Sequence, residues 1–208
     1  MSYTLYWATS SGAFVVEAVL ELAGVPFDKV LVDLDNDEHT KDEFKGINPM
    51  KQVPALKLPD GTIMTESAAI CLYLAETHPE SKLFPLSGVA RAKATRVLFY
   101  LASNVYETIL RLSYPGRYTA SSDASDVKAV QTGAAARLVD LMSVTEGFVV
   151  GPYLLGKELS FLDIYLFMLL GWYPKPEETL AKFPKQKVLF ETVGKIPLIV
   201  KLKETYKM

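Results

Sequence analysis

Every segment that reads as a β-strand lies before residue 66, and from residue 89 onward only helical periodicity remains. That split excludes a single sheet running through the whole chain. Tyr3-Thr4-Leu5-Tyr6-Trp7 is short, aromatic and β-prone, and Ser10-Ser11-Gly12 breaks it. From Ala13 to Ala23 the apolar positions Phe14, Val15, Ala18, Val19 and Leu22 recur at helical spacing, and Gly24 supplies a stop. Phe27 to Leu34 reads as a second strand, which a right-handed crossover makes parallel to the first. A short helix is expected near Thr40 to Phe44. Val53 to Leu58, the turn Pro59-Asp60-Gly61 and Thr62-Ile63-Met64 then read as a β-hairpin. Helical spacing resumes through Ala68, Ala69, Leu72, Tyr73 and Ala75 until His78-Pro79 ends it. The order is βαβ, a short helix, ββ, α.

Breaks at Phe84-Pro85 and Ser87-Gly88 mark a boundary. The expected organisation is an α/β domain over 1–79, a linker over 80–88 and an all-α domain over 89–208. Its helices are expected at about Val89 to Ser113, Asp126 to Thr145, Phe161 to Trp172 and, as two or three shorter ones, from Glu177 to the end. With 208 residues, half of them apolar, the chain has enough material for two cores.

The formal charge of -2 comes from acids and bases mixed along the chain, so no basic run stands ready for a nucleic acid. Met1-Ser2-Tyr3-Thr4 lacks the basic start and apolar stretch of an export signal, and no apolar run reaches membrane-spanning length. Neither export nor a membrane is expected. The lone Cys71 cannot form an internal disulfide, which fits a reducing cytoplasm, and it reads as a small buried hydrophobe. Two histidines and one cysteine make no credible zinc or iron cluster, so no metal is expected.

Chemistry concentrates in Asn48-Pro49-Met50-Lys51-Gln52-Val53-Pro54-Ala55-Leu56 and Thr65-Glu66-Ser67-Ala68-Ala69-Ile70. Pro54 cannot donate to a ladder, and a cis Val53-Pro54 bond would leave the Val53 N–H and C=O facing outward for an extended peptide. Glu66-Ser67 falls where a strand gives way to a helix, a place where free N–H groups and the helix dipole favour a carboxylate. Ser67 can add its hydroxyl, and Glu66 can meet an ammonium. Together they suit the amino-acid end of a γ-glutamyl group. The plainer reading, a turn proline and an ordinary helix start, is weakened because a capping box from Thr65 would want Glu or Gln where Ala68 stands.

Asn-Pro-x-x-x-Val-Pro-Ala-Leu followed by Glu-Ser-x-Ala-Ile resembles the glutathione site of cytosolic glutathione transferases. The resemblance extends over essentially the whole chain. Tyr153-Leu154-Leu155-Gly156 and Ser160-Phe161-Leu162-Asp163 look like that family's buried N-capping box, with Ser160 as cap and Asp163 as its partner. It implies a thioredoxin-like first domain, an all-helical second domain, a homodimer, glutathione as co-substrate and a small electrophile as the other substrate. Lys51, Gln52, Val53, Pro54, Glu66 and Ser67 are then the glutathione-binding residues, with His39 and Lys41 as weaker candidates.

A free thiol is only a few per cent ionised at neutral pH, so an enzyme of this type must favour the thiolate. Ser10-Ser11-Gly12 falls on the Ser-Ser-Cys run of zeta-type members, which makes Ser10 the activating hydroxyl by resemblance. Gly12 stands where those members have Cys, which argues against a cysteine-based mechanism. Ser11 and Tyr6 remain open for the role, and either serine can simply cap the first helix. Tyr106, Leu110 and Tyr114 recur every four residues and form a candidate lining for an apolar electrophile, or plain core. Trp172-Tyr173 can close the same cleft. A non-catalytic protein-binding relative is the alternative to an enzyme, although such relatives often lose the hydroxyl or the Glu-Ser pair that this chain keeps.

Overall fold

The computed structural model describes residues 2–208. Strands β1 (Tyr3–Trp7) and β2 (Phe27–Leu31) are joined through helix α1 (Ala13–Leu22) and run parallel. Leu5 and the α1 side chains Phe14, Val15, Val16, Val19 and Leu20 are buried, so this crossover forms around its own apolar face. Gly24, at φ 65°, turns the chain out of α1 in a conformation that side chains resist. β2 ends at Leu31, short of Leu34. Asp33 takes over there, its carboxylate accepting the N–H groups of Asp35 and Asn36 in a turn.

A single 3-10 turn (Glu38–Thr40) and the short helix α2 (Asp42–Lys45) lead to a hairpin of β3 (Ala55–Lys57) and β4 (Ile63–Thr65). The ladder begins at Ala55 because Pro54 has no N–H to give it. Gly61, at φ 92°, and the Asp60 carboxylate, which accepts the Thr62 N–H at 2.8 Å, close the turn. The sheet order is β2-β1-β3-β4, with β3 antiparallel to both neighbours. Helix α3 (Ser67–Thr77) follows and packs against α1. This is the thioredoxin-like βαβ-α-ββα arrangement.

The second unit is helical. Helix α4 (Gly88–Tyr100), a π-helical stretch (Leu101–Tyr106) and α5 (Glu107–Ser113) run on from one another where the sequence pattern suggests one helix. Asp123 caps α6 (Ala124–Phe148), its side chain accepting the Ser125 N–H. Helix α7 (Phe161–Gly171) is buried from Phe161 to Leu170 and apolar all round except for Asp163, as expected of a central helix. Helices α8 (Pro176–Leu180), α9 (Pro184–Gly194) and α10 (Pro197–Tyr206) complete the chain.

The chain divides into two compact units, one extending to Leu86 and taking in Gly194–Met208, the other spanning Ser87–Val193. The last helix therefore counts with the first unit, where the sequence pattern groups it with the helices before it. The cause is its apolar face: Ile199, Leu202 and Tyr206 are fully buried, and α10 lies against α1. Among the described residues no helix is long and apolar enough to cross a membrane.

Candidate functional site

The hairpin register positions the site. Pairing of Ala55 with Thr65 on one side and with Tyr6 on the other makes Val53-Pro54, Glu66-Ser67 and the loop after Trp7 leave the sheet at the same end. The Val53-Pro54 peptide is cis. Neither the N–H nor the C=O of Val53 is bonded to another described residue, so both remain available to an extended ligand. Asn48, buried to 3% exposure, braces the approach to Val53. Its amide donates to the Gln52 carbonyl at 2.7 Å and accepts the Met50 N–H at 3.0 Å. Lys51, held at φ 58°, and Gln52 are exposed on this loop.

On the other side of the hairpin, Glu66 stands between β4 and α3 at φ 65°, ψ 105°. For a residue with a Cβ this conformation costs on the order of 1–3 kcal/mol, and such residues cluster at ligand sites. The Glu66 side chain makes no cap bond to its own helix and is exposed, while Ser67 at the first helical position is buried. The start of α3 thus presents its dipole beside an exposed carboxylate, a pairing suited to a zwitterion.

The loop from β1 to α1 separates the two serines. Ser11 is buried, and its Oγ donates to the Ala8 carbonyl at 2.7 Å while accepting the Ala13 N–H at 3.3 Å. That hydroxyl is occupied by its own turn. Ser10 is exposed at φ 50°, with its N–H bonded to the Tyr206 carbonyl at 2.9 Å and its Oγ donating to the same oxygen at a longer 3.3 Å. The Ser11 and Gly12 N–H groups, at the start of α1, have no partner among the described residues. Tyr6 lies within β1 with its ring edge-on to Phe44.

Ser10, Ser11, Val53, Pro54, Glu66 and Ser67 are thus brought to one end of one sheet, with Lys51 and Gln52 on the adjoining loop. Tyr106, Leu110 and Tyr114 form a separate group in the helical unit. Tyr106 ends the π-helical stretch, a feature common at functional sites, and packs against Tyr165 and Trp172. Tyr114 is half exposed beneath the Arg117 guanidinium. Cys71 is fully buried, and that burial pushes its thiol well above the ordinary range. No cluster of three His, Cys, Asp or Glu side chains able to hold a metal occurs among the described residues.

Two contributors escape sequence reading. Asn48 opens the Asn48-to-Leu56 motif but carries no chemical signature of its scaffolding role. Tyr206 lies far from the loop in sequence, and nothing local marks it.

Residues 9–77 match the family model for the glutathione S-transferase N-terminal domain, and residues 105–205 match that for the C-terminal domain. The chain is 29% identical to the uncharacterized GST-like protein YncG of Escherichia coli (strain K12), over 98% of this chain and 96% of that one. It is 31% identical to maleylacetoacetate isomerase of Mus musculus, over 84% of this chain and 79% of that one. A glutathione transferase homolog from sulfitobacter, solved with bound glutathione, superposes with a TM-score of 0.89 at 26% identity, covering 100% of this chain and 99% of that one. This chain belongs to the glutathione S-transferase family.

Proposed function

We propose that this protein binds glutathione at the end of its sheet and stabilises the thiolate for attack on a small electrophile. One observation supports the reading: because Ala55 pairs with Thr65, the unpaired Val53 main chain and the Glu66-Ser67 helix start leave the sheet at the same end. The Val53 N–H and C=O pair with the ligand's cysteinyl backbone, with Pro54 shaping that edge. The Ser67 hydroxyl and the start of α3 receive the γ-glutamyl carboxylate, and Glu66 meets the ammonium. Lys51 and Gln52 reach the glycine carboxylate.

Ser10 donates its hydroxyl to the sulfur. Its present bond to the Tyr206 carbonyl is long enough to exchange readily, whereas Ser11 is tied to Ala8. A hydroxyl on the thiolate contributes about 1.5–3 kcal/mol, equivalent to roughly one to two pKa units. The start of α1 adds favourable potential. The sulfur then forms a bond to the electrophilic carbon, the leaving group departs with its electron pair, and the thiol proton passes to water. Tyr106, Leu110 and Tyr114 are the proposed apolar lining for the electrophile. The working form is proposed as a homodimer in the reducing cytoplasm, which sedimentation tests.

A second reading is an isomerase, favoured by the Ser10-Ser11 pair and the similarity to maleylacetoacetate isomerase. The thiolate adds to a conjugated double bond, the resulting single bond rotates, and elimination returns glutathione unchanged. The two reactions differ in whether the product keeps sulfur.

The test measures glutathione affinity and turnover of chlorodinitrobenzene in the parent, Ser10→Ala and Ser67→Ala. Ser67→Ala is expected to weaken affinity by about 10- to 100-fold. Ser10→Ala is expected to keep affinity and raise the bound thiol's pKa by roughly one to two units. Full turnover in Ser10→Ala transfers the role to Ser11 or Tyr6. A parent that binds no glutathione supports a non-catalytic module instead.

A further inference from the structure

The loop that carries Ser10 is framed by one residue from the far end of the chain. Tyr206 closes α10, and its carbonyl is one of those a helix end leaves without an intrahelical partner. That oxygen accepts the Ser10 N–H at 2.9 Å and the Ser10 hydroxyl at 3.3 Å. Lys207, at φ 54°, and the Met208 N–H, which returns to the Lys203 carbonyl at 3.0 Å, close the helix end and fix the direction of this carbonyl.

The side chain of the same residue is fully buried and grips both flanks of the loop. Its ring lies 5.1 Å from the Trp7 ring at the end of β1 and 5.6 Å, edge-on, from Phe14 in α1. Its hydroxyl donates to the Glu17 carboxylate at 2.7 Å. Glu17, also on α1 and 5% exposed, is neutralised by Lys29 of β2, whose Nζ lies 2.6 Å from it and 4.0 Å above the Trp7 ring. A carboxylate buried this deeply persists only when paired and hydrogen-bonded, and here the phenol and the ammonium share that task. β1, α1, β2 and α10 therefore meet at Glu17 and Tyr206, on either side of Ser10.

We infer that Tyr206 is a positioning residue for Ser10, and this inference rests on the proposed role of Ser10 at the glutathione sulfur. A serine at positive φ holds that conformation only where its surroundings fix it. The Tyr206 carbonyl fixes Ser10 by its N–H, and it also parks the hydroxyl until a better acceptor, the thiolate, arrives. The phenol acts through Glu17: its bond keeps the end of α10, and with it the carbonyl, in register with the loop. Tyr206 touches no reacting atom.

The test uses Tyr206→Phe, which keeps the carbonyl and the ring packing and removes only the bond to Glu17. Two readings are taken on the full chain: exchange of the Ser10 amide hydrogen by NMR, with the Leu5 amide as an internal standard, and the pKa of bound glutathione from thiolate absorbance. The affinity of S-methylglutathione, which has no thiol to ionise, is measured alongside. In the variant Ser10 exchange is expected to rise at least about tenfold while Leu5 exchange changes little. The bound thiol's pKa rises by about half a unit, roughly a threefold loss of thiolate, with S-methylglutathione affinity within about twofold. In a Ser10→Ala background the same substitution shifts the pKa no further.

Unchanged Ser10 exchange and thiol pKa in Tyr206→Phe overturn the inference, as does an equal pKa shift in the Ser10→Ala background. Loss of protection at Leu5 as well would make Tyr206 a support of the whole unit and not of Ser10. A parent that binds glutathione without lowering its thiol pKa overturns the proposed role of Ser10, and this inference with it.

Discussion

Helices α3 and α7 begin in opposite ways. At α7 the cap is closed from within the chain. The Ser160 N–H and Oγ each donate to one Asp163 oxygen at 2.7 Å, and the Leu154 N–H donates to the other at 2.6 Å. Ser160 and Asp163 are both buried, and burial raises the Asp163 carboxyl above its usual value against the pull of those hydrogen bonds. At α3 the residue before the helix, Glu66, makes no cap bond, is exposed and holds a strained left-handed conformation. A helix start that satisfies itself and is sealed from water serves the fold. One that carries strain and leaves an exposed carboxylate beside its dipole is what the proposed glutathione site requires.

The largest effect expected from this contrast is on stability. Asp163→Ala strands the buried Leu154 and Ser160 N–H groups and is expected to cost about 3–5 kcal/mol in urea unfolding. A loss below about 1 kcal/mol would mean that α7 does not depend on its cap. Glu66→Gly should act in the opposite sense at α3. Relief of the backbone strain adds roughly 0.5–1 kcal/mol of stability, while loss of the charged partner weakens glutathione binding about tenfold in calorimetry. A variant that loses both would show Glu66 to be an ordinary helix-start residue.

The smallest effect separates two thiols. The glutathione sulfur is proposed to be lowered by Ser10, whereas burial raises Cys71. Because its folded pKa lies above the unfolded value near 8.5, Cys71 contributes its stability fully below about pH 8.5 and loses it as pH rises further. Folded protein at pH 8 should resist a thiol-reactive disulfide reagent that labels Cys71 fully in urea. Cys71→Ala is expected to cost about 1 kcal/mol and to leave turnover unchanged. Rapid labelling of the folded chain would show that Cys71 is accessible and reactive after all.

The fold was legible in the sequence wherever its cause is local. The ββ hairpin follows from Pro59-Asp60-Gly61 between two apolar runs, and the α7 start follows from four contiguous residues. The boundaries were less so. β3 starts two residues later than its apolar pattern, because Pro54 withholds an N–H, and β2 stops early where Asp33 captures the next N–H groups. The π-helical stretch at Leu101–Tyr106 left no mark in the periodicity around it.

In the candidate site, the family resemblance supplied the roles, while position and spacing marked Ser10, Ser11, Glu66 and Ser67 at junctions between strand and helix and Val53 before its proline. Position and spacing could not separate Ser10 from Ser11, because a hydroxyl's partner depends on which carbonyl lies within about 3 Å of it. The sequence alone determined the order of strands and helices, the self-capped helix and the paired motifs of the hairpin, all products of neighbours along the chain. Only the tertiary structure decided that α10 returns to the first unit, that Tyr206 meets Glu17 across 189 residues, and that its carbonyl holds Ser10. Such contacts arise from closing long loops around a shared core, and no local period encodes them.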